Sequence, residues 1–303
     1  MNSVNTLWEY RLQPEDAGQK YLSILKHKFH FSLKVLQHLK QGERVWVDGR
    51  FTYLTARGKE GQLLTIQLFA EEESPIQGED LPLSILYEDD YLLAVNKPVG
   101  QVVHPNRRYP DNTLGNAVIG YWERKGEQRL FRPIHRIDRN TSGVVIIAKN
   151  QFTHQQLAWQ LERGHIHKRY YGFVHGYLRA DSGSINSPIG LAPNSFIKRQ
   201  IQENGEPSRT DYRVIRRYSE ACLLEFILET GRTHQIRVHC ESMGHPLLGD
   251  DLYGGNTSLI NRQALHSSVY AFLHPVTGLP LVIRAPFPED LRHLLKTLNK
   301  AKE

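Results

Sequence analysis

The chain has 303 residues, of which 40% are hydrophobic, enough to bury a sizeable core, so it is neither a disordered nor a fibrous sequence. Its formal net charge of +6 favours a polyanionic partner, because each phosphate neutralised by Lys or Arg releases condensed counterions. Cys222 and Cys240 are the only cysteines and form no Cys-x-x-Cys pair, which excludes a disulfide scaffold and a thiolate zinc site. Met1 to Asn5 opens no charged leader with an apolar core, and no apolar run approaches the roughly 20 residues that cross a bilayer; the expected compartment is the cytoplasm, with no membrane partner.

Residues 18–39 carry Leu22, Leu25, Phe29, Leu33 and Leu36 at helical steps and predict a helix broken near His30 to Ser32, with Gly42 ending it. Val45-Trp46-Val47, an Asp48-Gly49 turn and residues 51–54 predict a hairpin, followed by a strand at 63–69. Residues 71–82 are acidic and contain Pro and Gly, the composition of a linker. The expected division is therefore a small domain at 1–72, a linker at 73–82 and a larger domain at 83–303.

Beyond the linker, strands are predicted at 83–87, 91–96, 144–149, 167–177, 210–216, 222–230, 265–274 and 281–285, and helices at 113–124, 150–162, 233–243 and 288–299. Several strands follow one another without a helix between them. The expected fold class is α+β, a mixed and largely antiparallel sheet with flanking helices rather than a regular βαβ repeat.

The densest chemistry lies in His135-Arg136-Ile137-Asp138-Arg139-Asn140-Thr141-Ser142-Gly143, a polar turn leading into the β-branched run Val144-Val145-Ile146-Ile147. Arg136 and Arg139 beside Asp138 would hold its carboxylate ionised, which suits a nucleophile or base better than a general acid. An ordinary surface ion-pair turn has the same pattern. The segment resembles the His-Arg-Leu-Asp-x-x-Thr-Ser-Gly signature of the RluA-type pseudouridine synthases, with Ile137 in place of leucine. Two further blocks agree in order. One runs from Tyr87-Glu88-Asp89-Asp90 to Asn96-Lys97-Pro98-Val99-Gly100; the other carries Thr230-Gly231-Arg232-Thr233-His234-Gln235-Ile236-Arg237-Val238-His239, Gly244-His245-Pro246-Leu247 and Gly249-Asp250-Asp251-Leu252-Tyr253-Gly254. The first part of the chain resembles an S4-type RNA-binding module, although Ser32-Leu33-Lys34 lacks the arginine commonly found beside that serine. Lys34 and Lys40, with Lys26, Lys28 and Arg44, would supply its phosphate surface, and a solvated helix face is equally compatible.

The resemblance implies a curved sheet with a central RNA-binding cleft, and conversion of uridine to pseudouridine in structured RNA. That reaction breaks the bond from ribose C1′ to uracil N1 and joins C1′ to C5, so it requires neither a cofactor nor a metal. Asp138 is the implied catalytic carboxylate, with two routes open to it: attack on C1′, or removal of a proton from C2′. Thr233 is expected to cap a helix that carries Arg237, which by resemblance pairs with Asp138. Lys168-Arg169-Tyr170 resembles the family's Lys-x-Tyr strand and selects Tyr170, to stack on an extruded uracil and to assist removal of the C5 proton; alternation sends Tyr171 to the opposite face. His135 and Arg136 are placed to fill the vacated stack or bind a flanking phosphate, and Arg139, Thr141, Arg232 and His234 complete the expected substrate-binding set. Lys97, Arg107 and Arg108 form one expected basic rim and Lys198 and Arg199 another.

Large-subunit ribosomal RNA is the leading expected substrate, transfer RNA the alternative, and a monomer the simpler expectation. A non-catalytic RNA-binding or assembly protein would keep the basic grooves without needing Asp138, Tyr170 and Arg237 together. A metal hydrolase is disfavoured, since His234 and His239 are five apart and no His-Glu-x-x-His occurs.

Overall fold

The structure, a computed structural model, describes residues 6–68 and 74–300. The predicted strand's last residue, Phe69, and the start of the predicted linker lie outside the described residues.

The chain opens with β1 (Thr6–Arg11), which the sequence reading missed: only Trp8 of its apolar side chains is buried, and charged Glu9 and Arg11 dilute the signal. Helix α1 (Tyr21–Ser23) runs on as a π-turn through Ile24–Lys28; His30 then takes a left-handed φ of 53°, and the Ser32 hydroxyl accepts from the Val35 amide to start α2 (Leu33–Lys40). The predicted break thus falls where a non-glycine residue reverses the chain. β2 (Val45–Val47) turns into β3 (Arg50–Phe51) through Asp48 and Gly49, both at positive φ as a tight hairpin requires, and β4 (Leu63–Leu68) follows.

The larger part contains, in order, β5 (Ile85–Glu88), β6 (Leu92–Lys97), α3 (Leu114–Arg124), β7 (Arg132–Pro133), β8 (Ser142–Ala148), α4 (Gln151–Glu162) and β9 (His167–His175). Then come β10 (Ser182–Asn186), β11 (Ile189–Leu191), β12 (Arg199–Ile201), β13 (Arg209–Arg217), β14 (Ala221–Leu228) and α5 (Gln235–Ser242). β15 (Leu265–Leu273), β16 (Pro280–Arg284) and α6 (Glu289–Lys300) complete it. Thr113 and Asn150 cap α3 and α4 with their side-chain oxygens, which explains why those helices start where predicted.

Two main sheets result. A four-stranded one has the order β1-β4-β2-β3; a ten-stranded one runs β10-β13-β14-β9-β15-β8-β6-β5, with β16 on β15 and β7 on β8. Among the described residues every strand pairing is antiparallel except β15 with β8, which pair in parallel at His266 with Ser142 and Ser267 with Gly143. This is the expected α+β fold.

Alternation decides the core. Leu93, Val95, Val145 and Ile147 pack with Val118 and Trp122 of α3 and Ile236 of α5, whereas Leu92, Ala94, Val144 and Ile146 pack on the other face with Leu157 of α4. All seven residues of β8 are buried, and each large apolar side chain there contributes roughly 1.5–3 kcal/mol. The N-terminal sheet has its own core, into which α4 inserts Phe152, so the two parts share a seam. Tyr91 Oη donates to Leu7 O at 3.0 Å across it, and Gln156 donates to Phe29 O.

Candidate active site

The loop from His135 to Thr141 leaves β7 and enters β8 at the centre of the large sheet. Its turn is closed by the Thr141 amide on Asp138 O at 3.0 Å. Gly143 has φ 118°, and a Cβ there would lie 2.0 Å from Ser267 O, so only glycine permits β8 and β15 to meet in parallel at this point. Two buried cations hold the loop's backbone. Lys97 Nζ donates to Arg139 O, Pro98 O and Gln101 O at 3.1, 2.7 and 2.8 Å. Arg262 Nη1 donates to Asn140 O at 3.1 Å while its guanidinium pairs with Asp290. Burial pushes the Lys97 ammonium down to about 7, against the opposing pull of Asp138.

Arg237 lies on α5, and the register of that helix turns it inward, 6% exposed. Its Nε and Nη2 donate to Asp250 Oδ2 and Oδ1 at 2.8 and 2.7 Å, and its Nη1 faces Asp138 Oδ2 at 3.4 Å. Burial opposes the charge on Arg237, but Asp250 and then Asp138 hold the guanidinium above its ordinary pKa. Tyr253 closes the far side, with the guanidinium 4.8 Å from its ring centre. His234 meets Tyr253 Oη at 2.8 Å through Nδ1, and its Nε2 stands 3.9 Å from Asp138. Burial lowers the His234 pKa. The guanidinium that reaches Asp138 therefore comes from α5, while its loop neighbour Arg139 turns to Gly100 O and Tyr109 Oη.

Tyr170 on β9 is 6% exposed, and burial raises its pKa. It lines a tight pocket of about 60 Å³ together with Arg136, Asp138, Thr141, Arg232, His234 and Arg237. Tyr171 points to the other face and donates to Glu225 at 3.2 Å, as alternation predicted. Around Asp138, Arg136, Arg139, His234 and Arg237 the site widens into a cleft of about 660 Å³, edged by Arg108, Tyr109 and Ile197. A separate cleft of about 1020 Å³ runs along α6 and meets the Asp138 loop only at Asn140.

Several expected residues stand elsewhere. Lys97 is fully buried and braces the loop, so it is not part of a phosphate-binding rim. His135 does not line the pocket; its ring stacks on Tyr270 with centroids 4.2 Å apart. Thr233 does not cap α5: the helix starts at Gln235 after His234 in the left-handed region, and Gln235 Oε1 accepts from Arg232 N and Thr230 Oγ1 instead. Arg232 lines the pocket but pairs outward with Glu206 at 3.0 Å. Lys198 pairs with Glu241 at 3.1 Å, and the Arg199 amide donates to Tyr253 Oη. Arg107 and Arg108 are exposed, as are Lys34 and Lys40 on α2, whereas Lys28 is tied to Glu15, Asp16 and Tyr10. Asp250, Tyr253, Arg262 and Tyr270 were not singled out from the sequence; the Gly249-Asp250-Asp251 turn was the available signal for the first.

A carboxylate and a guanidinium at the floor of a basic cleft, with a buried phenol beside them, equip an enzyme for covalent or acid–base chemistry on a polyanionic substrate. A family profile described as RNA pseudouridylate synthase matches residues 91–242. The Bacillus subtilis (strain 168) protein named "Uncharacterized RNA pseudouridine synthase YhcT" is 36% identical over 98% of this chain and 99% of its own. "Ribosomal large subunit pseudouridine synthase D" of Xanthomonas campestris pv. campestris is 35% identical over 94% of this chain and 90% of its own. Among solved structures, "Human RNA Pseudouridylate Synthase Domain Containing 1" superposes with a TM-score of 0.58 at 25% identity, covering 73% of this chain and 96% of that one. The chain belongs to the RluA-type RNA pseudouridine synthase family, and is thus an isomerase that acts on RNA.

Proposed function

We propose that the enzyme isomerises uridines of large-subunit ribosomal RNA, with Asp138 as the catalytic group, Arg237 as its partner and Tyr170 as the face on which the extruded uracil rests. The observation that carries this reading is the 3.4 Å approach of Arg237 Nη1 to Asp138 in a pocket that Tyr170 also lines. The relatives named as ribosomal large-subunit synthases support the substrate class.

In this mechanism Asp138 opens the reaction, by attack on ribose C1′ or by taking the C2′ proton, and the C1′–N1 bond breaks. The freed uracil turns within the pocket and C5 joins C1′, as the Asp138–C1′ ester bond breaks on the first route or as Asp138 returns the proton to C2′ on the second. The hydrogen on C5 then leaves as a proton to solvent, and N1, which kept the electron pair of the broken bond, takes one up; this restores the aromatic pattern of the base. Arg237 stabilises the carboxylate whenever it is free. Tyr170, kept a neutral phenol by its burial, offers a ring for stacking and an O–H for donation rather than a base. Arg136, Arg139, Thr141, Arg232 and His234 contact the target nucleotide, and Arg107 and Arg108 its flanking phosphates. The small domain at 1–72 acts as an S4-like RNA-binding unit through Lys34 and Lys40.

Tritium release from uridine labelled at C5 tests this, using ribosomal and transfer RNA transcripts with wild type and Asp138→Asn. Release from ribosomal RNA by wild type alone is expected. Release from transfer RNA only would overturn the substrate class, and release by Asp138→Asn at the wild-type rate would overturn the role of the aspartate.

A further inference from the structure

Behind Tyr170, away from the pocket opening, the sheet buries a chain of polar groups that the reaction as described does not use. The Ile146 amide points off β8 on the side where β7 has ended at Pro133, and donates to His135 Nε2 at 3.3 Å. An amide nitrogen can only donate, so Nε2 carries the lone pair and the ring proton sits on Nδ1. His135 Nδ1 in turn meets Tyr270 Oη at 3.0 Å, and must be the donor there. Tyr270 Oη meets Tyr170 Oη at 3.1 Å. Ser267, fully buried, stands beside both hydroxyls and spends its own proton on Val144 O at 3.4 Å. The first two hydrogen bonds therefore run outward from a backbone amide to Tyr270, and the third joins Tyr270 to Tyr170 with either oxygen able to donate. Burial pushes His135 down to about 3, so its ring stays neutral and the order does not invert.

We propose that Tyr270 and His135, neither of which lines the pocket, are positioning residues for the isomerisation: a hydrogen-bond chain from the Ile146 amide tethers the Tyr170 oxygen and so fixes the ring that meets the uracil. This rests on the reading of Tyr170 as the stacking face given above. A freely rotating phenol at this place would present the base with a poorly defined wall. A tethered one holds a single plane, which matters because the base must turn while it stays aligned with C1′. The stacking of His135 on Tyr270, with rings 13° from parallel, sets the second link in the same way.

The test is a double-mutant cycle on tritium release, with Tyr270→Phe, Tyr170→Phe and the pair together. Tyr270→Phe keeps the ring against His135 and removes the hydroxyl, and with it the links to both His135 and Tyr170. Its kcat is expected to fall roughly three- to ten-fold, the worth of one neutral hydrogen bond, with KM unchanged. In the Tyr170→Phe background the same change should cost no further kcat, because the tethered hydroxyl is already gone. Equal losses in both backgrounds, or no loss in wild type, would overturn the proposal while leaving the functional reading intact; a wild type that releases no tritium from any RNA would overturn both. The chain is also readable without activity. Long-range proton–nitrogen spectra of ¹⁵N-histidine protein should show His135 as the Nδ1–H tautomer, not titrating down to pH 5, and an Nε2–H tautomer would reverse the chain and sink the proposal.

Discussion

Asp250 grips Arg237 through two parallel bonds and leaves one guanidinium nitrogen, Nη1, to face Asp138. A planar fork held at one edge has no freedom to turn at the other, so Asp250 sets where the charge beside the Asp138 carboxylate sits. Arg237→Lys keeps a positive charge but loses the fork, and should lower kcat about 100-fold, the typical cost of a misplacement near 1 Å. Asp250→Ala strips a buried guanidinium of its bidentate partner, leaving only the longer contact to Asp138, and should cost about 3–5 kcal/mol of stability as well as activity. Urea denaturation beside tritium release separates the two effects. A lysine variant with wild-type kcat would show that charge alone suffices.

The sheet's two faces were legible because β6 and β8 are continuous apolar runs whose neighbours alternate between α3 and α4. The Asp138 turn was legible because its residues are contiguous. Asp250 was not, since Asp250 and Asp251 are adjacent and only the turn at Gly249, where a Cβ would lie 2.1 Å from Arg262 O, decides which one points inward. Lys97 misled for a related reason: a lysine at the end of a strand, before Pro98-Val99-Gly100, is expected outside, and nothing local reveals three carbonyls converging on it. The missed strands β10 to β12 are rich in Ser, Gly and Gln and pair at the sheet margin or with each other, so they have little apolar periodicity.

Gly143 and Gly254 both have positive φ but differ in surroundings. An alanine Cβ at Gly143 would meet Ser267 O at 2.0 Å, a backbone atom that no rotamer change can move, whereas at Gly254 it meets nothing within 4 Å. Gly143→Ala should therefore cost about 3 kcal/mol or more, combining overlap with backbone strain, and Gly254→Ala about 1–2 kcal/mol from strain alone. Thermal melting of the two variants provides the comparison. Similar losses would mean that β8 and β15 can separate there cheaply.

Acid should weaken the fold before the carboxylates titrate. Burial depresses His135 to about 3 and His266 to about 4, while both rise to about 6.5 on unfolding. Below pH 6.5 the unfolded chain takes up protons that the folded one refuses, so stability is full above 6.5 and falls as pH drops towards the folded values. Each histidine contributes up to about 1.4 kcal/mol per pH unit to that slope. Urea midpoints between pH 7.5 and 4.5 should show the fall, and His266→Gln should flatten it by about one proton. A wild-type profile that stays level down to pH 4.5 would contradict the burial of these rings.

Lys97 and Arg108 separate a buried charge from a phosphate contact. Arg108 is exposed and edges the cleft that holds Asp138, where an RNA backbone would pass. Lys97 is sealed beneath the same loop with its three donors on Arg139, Pro98 and Gln101. Only a side chain that displaces condensed counterions contributes to the salt dependence of binding. Arg108→Gln should therefore make the plot of log K against log salt shallower by about one unit. Lys97→Met should leave that slope unchanged while lowering the melting temperature, because the three carbonyls that converge on the buried ammonium lose their donor. Filter binding at several salt concentrations measures both, and a shallower slope for Lys97→Met would return that lysine to the RNA surface.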